Sequence, residues 1–390
     1  MSKINLIPDI RFPEFNKEWT LEELGQCLDY LQPTPYLVES TDYKNEYETP
    51  VLTAGKSFIL GYTNEKEGVF NENLPVIIFD DFTTASQFVD FPFKTKSSAM
   101  KILLAKNGND IKFVFESMQT LNYEVGVHKR HWISVFSKLR IAIPKDPQEQ
   151  QKIASCLSSL DELLAAHNNK LEALKDHKKG LLQSLFTQEG ETVPQVRFPE
   201  FEGDGEWNET TLDQVADYQN GKAHEKDIDE NGDYIVVNSK FISTEGKTVK
   251  FSDTSFCPAH LGDILMVLSD VPNGKAIAKC FYVDEDDKYS VNQRICRIIA
   301  TDSDSRFLFY IMDRNAYFLS FDDGVKQTNL RKTDVLEFPF RIPKDPDEQI
   351  KIAYCISAVD ELIKAQAEKI EELNQHKCGL MQGLFPKIES

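Results

Sequence analysis

Ile143-Pro144-Lys145-Asp146-Pro147-Gln148-Glu149-Gln150 opens a long amphipathic run that ends at Phe186, and Ile342-Pro343-Lys344-Asp345-Pro346-Asp347-Glu348-Gln349 opens another that ends at Phe385. Laid over each other without a gap, 143–186 and 342–385 share 26 of 44 residues, so one element occurs twice. Pro147 suits the first turn of a helix, and the acidic residue two places on suits the positive end of its dipole. The apolar seam then steps by four and three through Ile153, Leu157, Leu160, Leu164, His167, Leu171, Leu174, Lys178, Leu181 and Leu185. The second copy repeats it as Ile352, Ile356, Val359, Ile363, Gln366, Ile370, Leu373, Lys377, Leu380 and Leu384. A 3.5-residue period held over more than four heptads predicts a coiled coil. The two copies satisfy each other as an antiparallel pair, each roughly 55–60 Å long at about 1.5 Å per residue. This pairing brings His167 and Gln366 together near the midpoints, where a polar pair costs stability but discriminates against slipped registers.

A second signature repeats at the head of each half. Arg-Phe-Pro-Glu-Phe begins at Arg11 and reaches Trp19 and Leu24; it begins again at Arg197 and reaches Trp207 and Leu212. The chain therefore reads head, body, helix, then head, body, helix. Its predicted divisions are 1–142, with the head at 11–26; 143–186; a polar linker at 187–196; 197–341, with the head at 197–213; 342–385; and a tail at 386–390. The bodies read as mixed α/β domains. Strands are predicted at 75–79 and 112–116 in the first and at 234–237, 263–268 and 294–299 in the second, with a helix over 306–318. The interiors of the two bodies show no convincing ungapped correspondence. The fold class is therefore α+β, with two different bodies on one repeated helical frame.

Composition is that of a soluble globular chain of 390 residues, 41% hydrophobic and 27% charged. The formal net charge is −19, and the two repeated segments account for only −3 of it. Acidity of that size, taken alone, opposes nucleic-acid binding. Seven cysteines without CxxC spacing read as reduced thiols in a cytoplasm. The first residues have no apolar targeting stretch and no apolar run reaches 18 residues, so a cytoplasmic location is expected.

Catalytic and metal constellations are not expected. Gly55-Lys56-Ser57 and Gly246-Lys247-Thr248 end like phosphate loops, but Pro50 and Phe241 stand where the leading glycine belongs. Phe201-Glu202-Gly203-Asp204-Gly205 has the spacing of an S-adenosylmethionine loop without a strand before it, and Gln32-Pro33-Thr34-Pro35-Tyr36 only loosely matches an adenine-holding loop. The seven histidines show no zinc spacing. What the bodies offer is side chains suited to DNA, where Asn, Gln, Arg and Lys pair with purine edges and hydroxyls and cations hold phosphates. In the first body these are Thr83, Thr84, Lys94, Lys96, Ser97, Ser98, His128, Lys129 and Arg130. In the second they are Lys222, His224, Asn238, Lys240, Asn273, Lys275, Asn292, Gln293, Arg294, Lys326, Gln327, Thr328, Asn329 and Arg331.

The duplicated Arg-Phe-Pro-Glu-Phe…Trp head and the duplicated Ile-Pro-Lys-Asp-Pro-x-Glu-Gln…Ile-Ala helix entry, with divergent bodies between them, resemble the specificity subunit of type I restriction-modification enzymes. Gly324-Val325-Lys326-Gln327-Thr328-Asn329-Leu330 also looks like a segment near the end of that family's recognition domains; Gly126-Val127-His128-Lys129-Arg130-His131 stands at the comparable place in the first body. The resemblance implies a non-catalytic subunit that reads an asymmetric bipartite DNA site, one target-recognition domain per half, with the helices setting the unread spacer. It implies partners too: double-stranded DNA, two modification subunits that use S-adenosylmethionine to methylate adenine, and restriction subunits that use ATP and magnesium. This chain itself is expected to bind none of these cofactors. The competing readings are a two-domain coiled-coil scaffold that binds no DNA and a stand-alone DNA methyltransferase.

If the helices set the spacer, lengthening both by one turn, about 5.4 Å, widens the preferred spacer by roughly one or two base pairs. Mapping of methylated sites for such a variant checks this; an unchanged spacer contradicts it.

Overall fold

The computed structural model describes residues 6–55, 57–121, 131–271 and 274–388. The chain divides into two compact units, Met1–Asn169 with Ala367–Ser390, and Lys170–Gln366. In the first half the strands and helices run β1 (Trp19–Glu23), α1 (Leu24–Cys27), β2 (Leu28–Leu31), β3 (Thr49–Leu52), β4 (Ile59–Thr63), β5 (Val76–Asp80), β6 (Ser86–Val89), β7 (Lys94–Thr95), β8 (Met100–Ala105), α2 (Ile111–Gln119), α3 (His131–Ser134), β9 (Arg140–Pro144) and α4 (Pro147–Leu185). The second half continues with β10 (Asn208–Thr211), β11 (Ala216–Asn220), β12 (Tyr234–Val237), α5 (Ser239–Ser243), β13 (Phe251–Ser252), β14 (Ile264–Val267), β15 (Ser269–Asp270), β16 (Cys280–Tyr282), β17 (Tyr289–Val291) and β18 (Ile295–Ala300). It ends with α6 (Ser305–Met312), α7 (Ala316–Leu319), β19 (Thr328–Asn329), α8 (Lys332–Leu336), β20 (Pro339–Ile342) and α9 (Pro346–Leu384).

The repeated phrase is the hinge between a strand and a helix. Its first two residues finish β9, which pairs antiparallel with β1 of the head, Trp19 opposite Pro144. The second copy does the same with β20 and β10, Asn208 opposite Ile342. Pro147 and Pro346 each open a 39-residue helix. The acid-amide pair that follows is a clasp. Glu149 is buried, and its two carboxylate oxygens accept from Arg11 Nε and an Nη at 2.7 and 2.8 Å. Trp19 Nε1 adds a third donor at 3.2 Å. Glu348 holds Arg197 in the same two-pronged way, at 2.8 and 2.7 Å. Gln150 and Gln349 each accept, at 2.9 Å, the backbone N–H of the residue capping the next body helix, Asp110 and Asp304. Head, strand pair, long helix and body are thus tied at one point in each half.

Within each unit the long-helix segments pack antiparallel, as the seam requires. In the first unit Leu160 and Leu164 of α4 cluster with Leu373 of α9, while Ile153 and Leu157 share the body's core with Leu384 and Phe385. In the second, Leu185 of α4 shares a core with Ile352 and Ile356 of α9, and Leu181 packs against it. Seam residues are buried or half-buried along both helices. His167 and Gln366 belong to different units. Charges flank the seam in matched positions. Asp161 meets Lys377 at 2.5 Å and also Lys112 of α2 at 2.7 Å; its counterpart Asp360 meets Lys178 at 2.6 Å and the Tyr310 hydroxyl of α6 at 2.8 Å.

The two bodies have one topology in their two main sheets, and the second body adds the two-stranded pair β15-β19. Each has a four-stranded antiparallel sheet, β2-β8-β5-β6 in one and β11-β18-β14-β16 in the other. Each adds a three-stranded sheet, β4-β3-β7 and β13-β12-β17, whose central strand pairs antiparallel on one side and parallel on the other. The correspondence is invisible residue by residue because it lies in backbone pairing. The strands predicted at 75–79, 234–237, 263–268 and 294–299 fall on β5, β12, β14 and β18. The strand predicted at 112–116 is instead α2. Asn107 and Gly108, at φ 54° and 74°, turn the chain, and Asp110 caps the helix by accepting from Phe113 N at 2.9 Å. Its run of buried apolar residues fits either period, and the cap decides it. The helix predicted over 306–318 is two helices, α6 and α7. It breaks where half-buried Asp313 accepts from Cys280 N at 2.8 Å, Arg314 takes φ 54°, and Asn315 caps the next turn.

Truncating Glu348 to Ala leaves the largely covered Arg197 guanidinium without its carboxylate, with only the Gly205 carbonyl as acceptor, and costs about 3 kcal/mol; a lowered thermal midpoint checks this. Burial alone would raise the Asp161 pKa, but hydrogen bonds from Lys112 and Lys377 outweigh it and hold the carboxyl below its usual value. The stabilisation from that shift is therefore complete above about pH 4 and lost as pH falls through the folded value. Melting of Asp161→Asn against the parent should show a gap that is constant from about pH 5 to 8 and shrinks below about pH 4.

Candidate nucleic-acid interface

Strands β12 and β17 run parallel, so Val237 and Val291 end at the same edge of the second body. Backbone hydrogen bonds gather the loops beyond them. Asn292 N donates to Val237 O at 3.1 Å, Lys222 N to Val291 O at 2.9 Å, Leu268 N to Arg294 O at 3.0 Å, and Leu330 N to Leu268 O at 2.8 Å. The segments around 222, 238, 269–271, 292–294 and 326–331 therefore form one edge. Gly221 makes this possible, since a Cβ there would collide with the Asn292 carbonyl.

Several of the candidate side chains on this edge are occupied within the protein. His224 is fully buried, its ring bonded to Lys222 O at 2.7 Å and Ser290 Oγ at 2.8 Å, so it is a strut, a correction to its reading as a DNA contact. Asn238 caps α5 by accepting from Phe241 N at 2.9 Å. Thr328 is buried and donates to Asp322, again a correction. Arg331 grips Asp334 through Nε and an Nη. Gln327 donates to Ser269 Oγ at 2.7 Å, and Gln293 to Glu225 at 2.8 Å. Asn292 Oδ1 accepts from Gln293 N. Lys222, Lys240, Lys275, Arg294, Lys326 and Asn329 face solvent. Asn273 lies outside the described residues.

The first body builds the same edge with other residues. Lys96 N donates to Leu52 O at 3.0 Å, Val38 N to Thr95 O at 2.9 Å, Asp81 N to Ala99 O at 3.1 Å, and His131 N to Asp81 O at 2.9 Å. These four bonds match the four above in order. The turn that carries Asn292-Gln293-Arg294 in one body carries Lys96-Ser97-Ser98-Ala99 in the other. Lys96 is exposed, with its ammonium 5.6 Å from the centre of the Tyr43 ring. Thr83 and Ser98 are exposed, Thr84 sits at φ 59°, and Ser97 Oγ accepts from Ala99 N. Lys94 is corrected: it is buried, paired with Glu65 at 2.6 Å and donating to Glu67 O at 2.7 Å. His128, Lys129 and Arg130 lie outside the described residues. Reading by residue type missed Lys101 and Asp81, a buried pair at 3.5 Å beneath this edge; the available signal was the place of Lys101 inside the apolar run of β8, whose first four residues are all buried.

Among the described residues no group of His, Cys, Asp and Glu could hold a metal, and no helix is long and apolar enough to cross a membrane. The model of the type I restriction modification DNA specificity domain matches residues 16–176 and again 204–375. The chain belongs to the type I restriction-modification specificity family. Each match takes in the later part of a head, a body and most of a long helix, so the family's domain is the unit repeated here. A type I restriction enzyme specificity subunit of Escherichia coli is 37% identical over 258 residues, 62% of this chain and 62% of that one. One from Methanocaldococcus jannaschii is 24% identical over 407 residues, covering 96% and 93%. The aligned part thus spans less than two thirds of the Escherichia coli relative. The crystal structure of a type I system S subunit from M. genitalium shares the fold at a TM-score of 0.67 and 16% identity, over 98% of this chain and 100% of that one. A chain solved in work on assembly and conformational transition of the type I system aligns at 0.54 and 14%, over 95% and 98%.

In this specificity chain, replacing exposed Lys222 or Lys240 by Ala should weaken DNA binding at all sequences alike and reduce the salt slope by about one each. Lys94→Met should lower the thermal midpoint and leave the salt slope unchanged. Binding titrations across salt concentration separate the two classes.

Proposed function

We propose that this chain is the DNA-reading subunit of a type I restriction-modification assembly, with each body reading one half of an asymmetric bipartite site. The observation that supports it most is the pair of matched edges: one backbone, fixed by the same four hydrogen bonds, displays different side chains in the two bodies. A constant scaffold with variable edge residues is what two readers of different half-sites need, and the exposed lysines suit the flanking phosphates. A scaffold that binds no DNA has no use for that arrangement. In this reading the chemistry belongs to partners. Two modification subunits carry S-adenosylmethionine and methylate adenine, restriction subunits use ATP and magnesium, and the assembly works in the cytoplasm, where its DNA is.

The net charge of −19 fits the same reading. Only a narrow edge of each body meets DNA, and the modification subunits supply much of the phosphate neutralisation. Methylation sequencing of DNA from cells that express this chain with its modification subunit tests the proposal. Adenine methylation at a bipartite site with two unlike halves is expected. Absence of site-specific methylation, or methylation at a contiguous site, overturns it.

A further inference from the structure

We infer that Arg294 is the residue that specifies a guanine in the half-site read by the second body; this rests on the DNA-reading role proposed above. Of the described side chains on this edge able to pair with a base through two parallel hydrogen bonds, Asn238 holds a helix cap, Arg331 is gripped by Asp334, Gln327 and Gln293 donate to Ser269 and Glu225, Asn292 Oδ1 accepts from Gln293 N, and the Asn329 amide is engaged at both ends by Gln327. The exposed Arg294 guanidinium has no side-chain hydrogen bond, ion pair or ring contact among the described residues. An arginine left unpaired in a chain with 63 acidic residues is conspicuous, since carboxylates to pair with are abundant.

The backbone beneath it is rigid. Arg294 O accepts from Leu268 N at 3.0 Å, and Ile295 N closes the turn onto Asn292 O at 3.0 Å. Asn292 Oδ1 takes Gln293 N at 2.8 Å, and Glu225 holds the Gln293 amide at 2.8 Å. A flexible side chain on a fixed turn loses less freedom on binding than one on a mobile loop. Its planar fork matches the O6 and N7 acceptors of guanine in the major groove, which the point charge of a lysine does not.

The comparison between the bodies separates base reading from phosphate holding. Phosphates are the same at every half-site, so a residue that holds them can be shared by both readers. A base reader must differ where the half-sites differ. At the position whose carbonyl accepts from Asp81 N in the first body, the counterpart of Arg294, the residue is Ala99, which cannot donate to a base from its side chain. The same locus therefore carries a guanine-reading group in one body and none in the other.

The test uses the full chain with its modification partner and maps methylated adenines for the parent, Arg294→Ala, Arg294→Lys and, as a phosphate-type control, Lys240→Ala. The parent should show a fixed guanine in one half-site. Arg294→Ala should lose discrimination at that position alone, by about ten- to a hundredfold, with the other half-site intact. Arg294→Lys should keep overall methylation while leaving that position relaxed, which also excludes misfolding as the cause. Lys240→Ala should lower methylation without relaxing any position. A parental motif retained in full by Arg294→Ala, or a uniform loss like that of Lys240→Ala, overturns the assignment while leaving the DNA-reading role standing. A parent that methylates no bipartite site overturns both.

Discussion

Two buried carboxylates, Glu149 and Glu348, decide how everything else in this chain is attached. Each stands in the first turn of a long helix and takes a two-pronged guanidinium from the head of its own half. Burying such a pair is costly unless both partners are well bonded. Here the geometry is bidentate, the helix dipole favours the anion, and Trp19 adds a donor in the first half. The neighbouring Gln150 and Gln349 reach into the bodies and hold the caps of α2 and α6. The position of each body on its helix is thereby set by two consecutive side chains.

The long helices and the double architecture were legible in the sequence because they depend on period and repetition, which survive in residue type. The acid-amide pair was legible only as helix-start chemistry, since its partners lie far off in sequence, 138 residues away for Arg11 and 40 for Asp110. The common topology of the bodies was not legible. It is written in backbone bonds such as Lys96 N to Leu52 O and Asn292 N to Val237 O, which place no demand on the side chains concerned. That same freedom lets the edge vary, so what hides the likeness of the bodies in an ungapped overlay is also what the proposed pair of different readers requires.

Residue type alone also overcounted the interface. Lys94 and His224 have the chemistry of DNA contacts but are bonded inside the body, and Asn238 is a cap. Polar groups brought under a protein surface must find partners, and loops rich in Asn, Lys and His supply the partners for their own turns. The groups left over are few and exposed, in keeping with the proposal that this acidic protein would meet a polyanion only along two edges. The clasp fixes the bodies, and the bodies present the edges.

The account stands on the claim that frame and reader are separable, and a chimaera measures this most directly. Replacing 24–139, which carries the first body, by 212–338, its counterpart in the second, leaves Glu149 with Arg11 and Trp19, offers Gln150 the Asp304 cap in place of Asp110, and puts the same reader in both places. Methylation mapping should then show a symmetric bipartite site made of two copies of the second body's half-site. A stable, clasped chimaera that still methylates the original asymmetric site would contradict the account.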